Sequence, residues 1–497
     1  MRITGTGWGN LAVGEFSQAT GASTRLVVNA PAPTGDSHLI QLAARNGFSR
    51  GVTLDAGNLQ VNGANSLGLG ALVVNGGTVQ FTTAHTISNA VNLNADLVVM
   101  QGAGATLSGV ISSSTPGTGL IVERIRATSP SNPFSTTGAD LTLTGASTFD
   151  GPTIVRRGLS LSGTGGAGST RLILSGTGSL LNSSRYEVGA ESSLVITGTN
   201  SDGNRLSDSA PVRLAGGELV FRGNLSERVG AITASGYAAV TYGTGSETTQ
   251  TWVAASELSR ADRGTLLIRG SNLGVFPLNR MGLLVAPALV GGGGSGPARS
   301  ILPWVVGGTS STSEGAGLVT YDASNGIRLL TNSEYTTSLT NVSSAGNVRL
   351  NRSATLGAAV SVNSLVLDGA SLDGGGTVEI RSGTLLATQA SAISTKVSFG
   401  SAEGLLFTPA RLTLHGSVSG SNGLTKSGNE TLLLTGVNSF TGPLTVNAGS
   451  LAFTSVSSLG VSNSQILLGA TTNSAGIVAG LQWAGSGMAH VDRNLVV

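Results

Sequence analysis

The chain has 497 residues and a formal net charge of +2; 75 residues are glycine, 10% are charged and 4% are aromatic. A hydrophobic fraction of 39% excludes ordinary disorder, and the scarcity of large rings argues against a core built on aromatic side chains. The 27 basic and 25 acidic residues are scattered without a basic run, so nucleic acid is not expected as a partner. No Cys is present, which excludes disulfides and thiolate metal ligands.

Short β-strands are the first elements that the sequence predicts. An apolar residue, any residue, an apolar residue, a small polar residue and Gly recur in that order at 72–76, 141–145, 172–176, 194–198, 365–369, 412–416 and 432–436. Alternation with a period of two predicts a strand, and the polar residue with Gly predicts a tight bend after it. We interpret Ile173 and Leu433, inside two of these strands, as pointing inward.

A longer segment is present twice. Residues 145–155 align without a gap on 436–446, an offset of 291. The shared positions are Gly145, Phe149, Gly151, Pro152, Val155 and Gly158 in the first copy and Gly436, Phe440, Gly442, Pro443, Val446 and Gly449 in the second. A different register, with an offset of 392, matches Gly57, Leu59, Leu67 and Gly68 to Gly449, Leu451, Leu459 and Gly460. Two registers of one unit indicate an internal repeat.

Repeated short strands could build a sandwich, a propeller or a solenoid. Two-residue Asn-Gly hairpin turns between long matched strands are absent from the sequence, which disfavours the antiparallel options. Each strand is too short to bury a face alone and must stack on its neighbours. We therefore predict an all-β fold, a right-handed parallel β-helix (solenoid) with coils of about 22 residues and roughly 20 coils in total.

The regularity of the pattern changes along the chain. We predict β-helix repeats over 1–184, a spacer module over 185–345 and further β-helix repeats over 346–497. The spacer contains a Gly-rich excursion at 291–316, and its residues 256–263 fit either a helical turn or the end of a strand. No apolar stretch reaches the roughly 20 residues that a transmembrane helix needs. Both termini look cut, so we expect a piece of a longer protein, with a signal peptide upstream.

The second long copy carries a family resemblance. Residues Gly423–Leu451 resemble the passenger-associated transport repeat of autotransporter-associated β-strand repeat proteins of Gram-negative-type bacteria. Residues Leu141–Leu161 look like a second copy, in which Arg156 and Arg157 replace the usual pair of small polar residues. Segments 204–210, 216–221 and 301–304 are similar to the spacer module often found between such repeats.

This resemblance implies a β-helical passenger that is exported and displayed at the cell surface, associated with the outer membrane, or secreted. It implies the translocation machinery as a partner during export, because such repeats are associated with efficient export and folding. The sequence contains no C-terminal translocator barrel pattern, which leaves the export route open.

Candidate catalytic residues are few. The nearest pairs of acids are Asp140 with Asp150, Asp202 with Asp208 and Asp368 with Asp373, and each acid is interpreted as structural, Asp368 in a turn. The histidines His38, His85, His415 and His490 are solitary, so no metal site is expected. A serine-hydrolase triad from Ser37 with His490 and Asp492 is disfavoured by the intervening repeats. The Gly-rich segment 163–168 lacks the following helix of a nucleotide site, and no cofactor is expected.

We therefore interpret the chain as a non-enzymatic β-helical stalk that supports adhesion or self-association. Its exposed Ser, Thr and Asn residues suggest surface glycans, matrix or like molecules as partners. The alternative is a carbohydrate-active β-helix, a polysaccharide lyase or hydrolase, with a site in 185–345 that uses Asp202 or Asp208.

Overall fold

A computed structural model of the protein describes residues 2–4, 11–15, 23–31, 39–43, 45–124, 139–157, 170–198, 203–243, 250–275, 278–461, 464–469 and 479–496. Strands stacked in parallel coils dominate this part of the chain. It also contains short 3-10 helices at Gly296–Ala298, Asn332–Glu334 and Val456–Leu459. The predicted all-β solenoid is confirmed. The right-handed sense of the coil stays a prediction.

The chain divides into two compact units. The first comprises Met1–Leu214, Glu218–Ile232 and Ser474–Gly476, and the second comprises Ala215–Gly217, Thr233–Asn473 and Ile477–Val497. The described strands that lie wholly in the first unit are β1 Arg2–Thr4, β2 Leu11–Val13, β3 Leu26–Asn29, β4 Leu39–Leu42, β5 Val52–Ala56, β6 Asn58–Val61, β7 Leu72–Val74, β8 Thr78–Phe81, β9 Thr86–Ile87, β10 Val91–Leu93, β11 Leu97–Gln101, β12 Ala105–Leu107, β13 Ile111–Ser113, β14 Leu120–Arg124, β15 Ala139–Leu143, β16 Thr153–Val155, β17 Thr170–Leu174, β18 Tyr186–Gly189, β19 Ser192–Thr197, β21 Glu218–Arg222 and β22 Leu225–Val229. Strands β20 Val212–Ala215 and β23 Ile232–Ser235 contain residues of both units.

The strands of successive coils in the first unit stack in three parallel ladders. The orders are β1-β3-β5-β7-β10-β13, β2-β4-β6-β8-β11-β14-β16-β18 and β9-β12-β15-β17-β19-β21. Val79 pairs with Val99, 20 residues further on, close to the predicted coil of about 22 residues. In strands such as Leu97–Gln101, buried side chains alternate with partly exposed ones. The interior is therefore a column of Leu, Val and Ile.

The strands of the second unit are β24 Tyr237–Tyr242, β25 Thr251–Ala255, β26 Leu258–Arg260, β27 Thr265–Gly270, β28 Arg280–Leu283, β29 Val305–Gly308, β30 Gly317–Asp322, β31 Gly326–Leu329, β32 Asn347–Leu350, β33 Ala354–Thr355, β34 Val360–Val362, β35 Ser364–Asp368, β36 Ser371–Asp373, β37 Thr377–Ile380, β38 Thr384–Gln389, β39 Ser391–Ile393, β40 Lys396–Ser398, β41 Gly404–Phe407, β42 Leu412–Leu414, β43 Val418–Ser419, β44 Leu424–Ser427, β45 Leu432–Leu434, β46 Leu444–Val446, β47 Ser450–Phe453, β48 Ile466–Leu468, β49 Gly480–Trp483 and β50 Leu495–Val496. The segment 256–263, for which the sequence allowed a helical turn or a strand end, contains β26.

The later part of the second unit repeats the three-ladder coil. Its parallel orders are β32-β35-β38-β41-β44-β46-β48-β50, β33-β36-β39-β42-β45-β47-β49 and β34-β37-β40-β43. Leu412 pairs with Leu432, again 20 residues apart. The earlier part differs, because β29, β30 and β31 pair antiparallel. This antiparallel meander begins inside the predicted excursion at 291–316 and continues beyond it.

One ladder of the second unit is buried on both faces. In β35, Leu365 and Leu367 face the coil interior, while the intervening Val366 is also fully buried. Val366 belongs to a second apolar cluster that includes Leu267 and Leu318 of the earlier strands. The earlier strands of this unit therefore cover the outer face of the later coils. This cover explains why nearly every residue of β38, β41 and β44 is buried.

The direction predicted for two apolar residues is wrong. Leu433 is partly exposed, whereas Leu432 and Leu434 on either side are fully buried. Ile173 is likewise partly exposed between two buried leucines. Because side chains alternate along a strand, a run of three apolar residues permits either phase. Here the two outer residues occupy the interior and the middle one faces outward.

A glycine corner shows why the coils need this residue. Gly383 has φ of +80°, and a Cβ placed on it would lie 1.8 Å from the carbonyl oxygen of Glu403 in the next coil. Only glycine accepts both the left-handed backbone and this close approach. The corner then turns the chain directly into β38.

Candidate functional site

The duplicated segments place their glycine corners alike. A Cβ on Gly145 would lie 2.8 Å from the carbonyl oxygen of Gly109, and one on Gly436 would lie 2.4 Å from that of Gly416. In both copies, the corner glycine stacks on a glycine of the preceding coil. The chain backbones approach too closely at this point for any side chain.

The shared phenylalanine fills the coil interior after the corner. Phe149 and Phe440 are both buried. The Gly-Pro step that follows also makes the same contact in each copy. The amide of Leu120 donates to the carbonyl oxygen of Pro152 at 2.9 Å, and the amide of Leu424 donates to that of Pro443 at 3.0 Å.

The glycine of each Gly-Pro step also lies against the preceding coil. A Cβ on Gly151 would lie 2.2 Å from the carbonyl carbon of Thr118, and one on Gly442 would lie 2.8 Å from the amide nitrogen of Gly423. Gly442 has φ of +84°. The step is therefore a close backbone crossing.

Each copy then forms a short strand that ends at the shared valine. Val155 ends β16 and Val446 ends β46, and both side chains are fully buried. The final shared glycine, Gly449, has φ of +67°. Its counterpart Gly158 lies outside the described residues. Over the described positions, the two copies are the same coil in two places.

The side-chain contacts between coils differ between the copies. Asn438 accepts a hydrogen bond from the amide of Val418 at 2.7 Å and donates to the carbonyl oxygen of Ser458 at 2.5 Å, linking three coils. The first copy has Ser147 there, whose buried hydroxyl has no partner. Arg156 and Arg157, which the resemblance marks as unusual, pair with Glu123 of the preceding coil at 2.6 Å and with Glu191 of the following coil at 3.0 Å.

Lys426 carries a fully buried amine inside the second copy. Its Nζ donates to the carbonyl oxygen of Gly428 and, at 2.6 Å, to that of Ala448 in the next coil. Burial lowers the pKa of Lys426 to about 7, although the charge of Glu430 acts in the opposite direction. A Cβ on Gly449 would lie 2.5 Å from Nζ, so this glycine makes room for the amine. Lys426 thus cross-links adjacent coils through main-chain carbonyls.

Glu227 is a buried carboxyl group of the first unit. It accepts hydrogen bonds from the amides of Arg205 at 2.9 Å and Leu206 at 3.2 Å. Burial raises the pKa of Glu227 to about 7, although these amides act in the opposite direction. The nearby hydroxyl of Tyr186 donates to the carbonyl oxygen of Leu180 at 2.7 Å and accepts from the amide of Ser207 at 2.7 Å. The cluster holds the turn that follows Asn204.

The acids singled out from the sequence lie in separate structural contacts. Asp140 pairs with Arg171 at 2.6 Å. Asp368 ends β35, where it pairs with Arg349 at 3.0 Å and accepts hydrogen bonds from Thr388 and Gln389.

The pKa of Asp150 is lowered by hydrogen bonds from the amide of Gly117 and the hydroxyl of Ser113. Asp208 and Asp373 are exposed. Asp202, the sequence partner of Asp208, lies outside the described residues.

The histidines are placed one by one. His85 lies 2.7 Å from the hydroxyl of Thr83, and His415 lies 3.0 Å from that of Thr435. His490 is exposed. Ser37 and His38 fall outside the described residues, as does the Gly-rich segment 163–168. In the described ranges, no three His, Asp or Glu side chains gather at a metal-binding distance. No helix of the described chain is long and apolar enough to cross a membrane.

Sequence reasoning missed Lys426, Glu227 and a surface cleft formed by Trp252 and Arg280. Lys426 carried a weak signal, because it is one of only two lysines and lies inside a repeat. The cleft carried none, since its two main residues are 28 positions apart and only the pairing of β25 with β28 brings them together.

Comparison with protein families points to the same segments. The Passenger-associated-transport-repeat family matches residues 138–159 and 424–453, which contain the two coils described above. A relative, the Adhesin BmaC autotransporter of Brucella suis biovar 1 (strain 1330), is 43% identical over 70 residues, covering 14% of this chain and 2% of the adhesin. The match thus spans a small part of that relative. No solved structure matches. The chain is therefore an autotransporter-passenger-like β-solenoid that carries passenger-associated transport repeats.

Proposed function

We propose that the chain is a non-enzymatic segment of a passenger, secreted or displayed at the outer membrane, that supports adhesion or self-association. The observation that carries this proposal is the pair of transport repeats, each built into a stacked coil. The local similarity to an autotransporter adhesin supports the adhesive role. Surface glycans, matrix and like molecules are the proposed partners, and the translocation machinery is a partner during export.

The repeats would assist export through sequential stacking. A parallel coil offers a row of main-chain donors and acceptors to the next segment of chain. In the second repeat, the amide of Leu424 reaches Pro443 and the amine of Lys426 reaches Ala448, both one coil further on. Each such contact ties an emerging coil to a folded one, so folding can proceed as the chain leaves a pore.

We also propose that the chain has three functional parts. Residues 1–184 and 346–497 would act as the stalk, and 185–345 would be the spacer that carries the less regular surface. This division assigns ligand contacts to the spacer, because its irregular segments offer more varied side chains than the repeated coils do.

The experiment is display of this 497-residue chain between a signal peptide and an autotransporter barrel on a non-adherent laboratory bacterium. We expect the chain to become accessible to external protease and the cells to attach to epithelial monolayers or to aggregate. Retention of the folded chain in the periplasm, or display without attachment or aggregation, contradicts the proposal. Cleavage of a polysaccharide by the purified chain, lost in Asp208→Asn, favours the carbohydrate-active alternative.

A further inference from the structure

An exposed hairpin of small residues lies between β28 and β29 in the second unit. Its tip is a run of consecutive glycines at 291–294, followed by Ser295. Residues 291–295 are all exposed. An added Cβ would meet nothing within 4 Å at Gly293 or at Gly294. The main chain at the tip is therefore open to a protein that approaches from solvent.

The hairpin has a fixed base. The amide of Val290 donates to the carbonyl oxygen of Ile301 at 2.8 Å, and the amide of Ile301 donates back to that of Val290 at 2.9 Å. This pair of hydrogen bonds closes the loop where its two arms enter the folded unit. Whatever happens at the tip, the two arms start from defined positions.

The tip itself is held by hydrogen bonds within the hairpin. The carbonyl oxygen of Gly293 accepts from the amide of Ser300 at 2.9 Å, and that of Gly294 accepts from the guanidinium of Arg299. The amide of Gly292 donates across the loop to Ala298 at 3.1 Å. Exposed backbone hydrogen bonds of this kind open locally at low cost, and glycine then adopts the extended form that a protease cleft needs.

Two buried asparagines tie both arms of the hairpin to the later coils. The side-chain amide of Asn363 donates to the carbonyl oxygen of Val290 at 3.2 Å. The side-chain amide of Asn347 donates to the carbonyl oxygen of Arg299 at 2.7 Å. Asn363 also donates to the side-chain oxygen of Asn347 at 2.8 Å, and both residues are buried. One linked pair of side chains therefore holds the chain on each side of the tip.

Further contacts join the chain before the hairpin to the chain after it. Strands β27 and β29 pair in parallel, with Leu266 opposite Val305. Arg260 pairs with Glu403 at 2.5 Å. The apolar cluster that contains Val366 also takes side chains from β24 and β27. A cut at the tip therefore leaves a strand pair, an ion pair and a common core between the two pieces.

We propose that the glycine hairpin is a site of proteolytic processing, where the chain is cut into two pieces that remain one folded assembly. The partner is an endopeptidase that hydrolyses a peptide bond between two glycines of 291–294. Water adds across that bond: the carbonyl carbon becomes a carboxylate, and the nitrogen leaves as an amine that takes up a proton. Exposed loop tips of small residues are preferred sites of nicking, and the absence of side chains selects an enzyme whose cleft fits glycine.

Digestion of the purified full chain tests the site. The probe is lysostaphin, a glycyl-glycine endopeptidase, used without denaturant. We expect peptide mapping by mass spectrometry to find a new carboxyl terminus within 291–294. The cut chain should elute from a size-exclusion column where the uncut chain does, and its pieces should separate in a denaturing gel. Digestion that leaves 291–294 intact, or pieces that elute apart without denaturant, overturns the proposal.

A variant and an internal control sharpen the test. The double variant Gly293→Ala with Gly294→Ala fills open space, and neither position has a left-handed φ, so the fold should be kept. One added methyl group per residue in a cleft that fits glycine should slow the cut about tenfold or more. An unchanged rate in this variant contradicts the proposed enzyme class.

The internal control is the second run of glycines, at 374–376, which forms a corner between β36 and β37. The amide of Gly376 donates to the carbonyl oxygen of Leu356 at 2.9 Å. An added Cβ on Gly376 would lie 2.4 Å from the carbonyl oxygen of Ala358. This corner is packed against the preceding coil and should stay uncut. Equal cutting of both runs contradicts the selection of the hairpin by its exposure.

Cells that display the chain separate this inference from the proposed function. Contact with an endopeptidase outside the cell rests on the proposed display, whereas the cut is measured on the purified chain. Cells that attach, with a purified chain that resists the cut, overturn the processing site alone. Cells that never attach, with a purified chain that is cut as expected, contradict the adhesive function and support the processing site.

Discussion

Lys426 makes the stability of the chain depend on pH in a defined direction. Its amine is 0% exposed and its pKa is lowered by burial from 10.5 to about 7. Between these two values, the folded state binds fewer protons than the unfolded state, so raising the pH favours folding. The stability that this group contributes is fully present above pH 10.5, declines as the pH falls from there towards 7, and is lost below pH 7.

The size of the effect follows from the width of this window. A full proton difference changes the free energy of unfolding by about 1.4 kcal/mol per pH unit. From pH 7 to pH 10, the Lys426 contribution therefore rises by roughly 4 kcal/mol. Lys426→Met removes the titrating group, so the difference in unfolding free energy between the wild type and the variant should grow by that amount across the interval.

The assay is urea unfolding followed by far-UV circular dichroism at half-unit steps of pH. The variant leaves the carbonyl oxygens of Gly428 and Ala448 without the amine, at a cost of about 1–3 kcal/mol each, and this shifts its curve at every pH. The pH slope is therefore the readout. Lys396→Met, which removes the exposed lysine of β40, is the matched control and should keep the wild-type slope. A Lys426→Met slope equal to that of the wild type refutes the reasoning.

Three other outcomes are expected. Leu432→Asp, at a buried inward position, should lower stability by about 4 kcal/mol or more. Leu433→Asp, at a partly exposed position on the same strand, should cost under about 1 kcal/mol. Equal urea midpoints for the two variants would contradict the inward direction of Leu432. The wild type should lose about 3 kcal/mol of unfolding free energy between pH 4.5 and 7, because the pKa of Glu227 is raised to about 7 and the stability it contributes below pH 4.5 disappears as the pH rises. Glu227→Gln should not show this loss. A pH series in which the variant retains the loss argues against burial of the carboxyl. Gly383→Ala should cost about 1–3 kcal/mol because of its φ and the 1.8 Å approach, while thermal melting of Gly375→Ala, which has open space, should stay near the wild type.

Local sequence pattern was sufficient to predict the class of fold. Three-residue strands that alternate with Gly corners cannot bury a face alone, and the repeated offset of Phe149 to Phe440 predicts that one coil recurs. The described structure places both phenylalanines in the interior and both Gly-Pro steps at the same backbone crossing. These features are local because they depend on period, on backbone freedom at glycine and on side-chain size.

The tertiary structure decided which side chains point into the coil and which distant residues meet. Three consecutive leucines permit either phase, so the interior position of Leu432 over Leu433 follows from the corner before the strand and from pairing with its neighbours. The buried ladder around Val366 depends on strands almost 100 residues earlier, such as β27. The approach of Trp252 to Arg280 depends likewise on strand register. Sequence period specifies which residues alternate, but only the stacked coil determines which side is inside and which distant side chains meet.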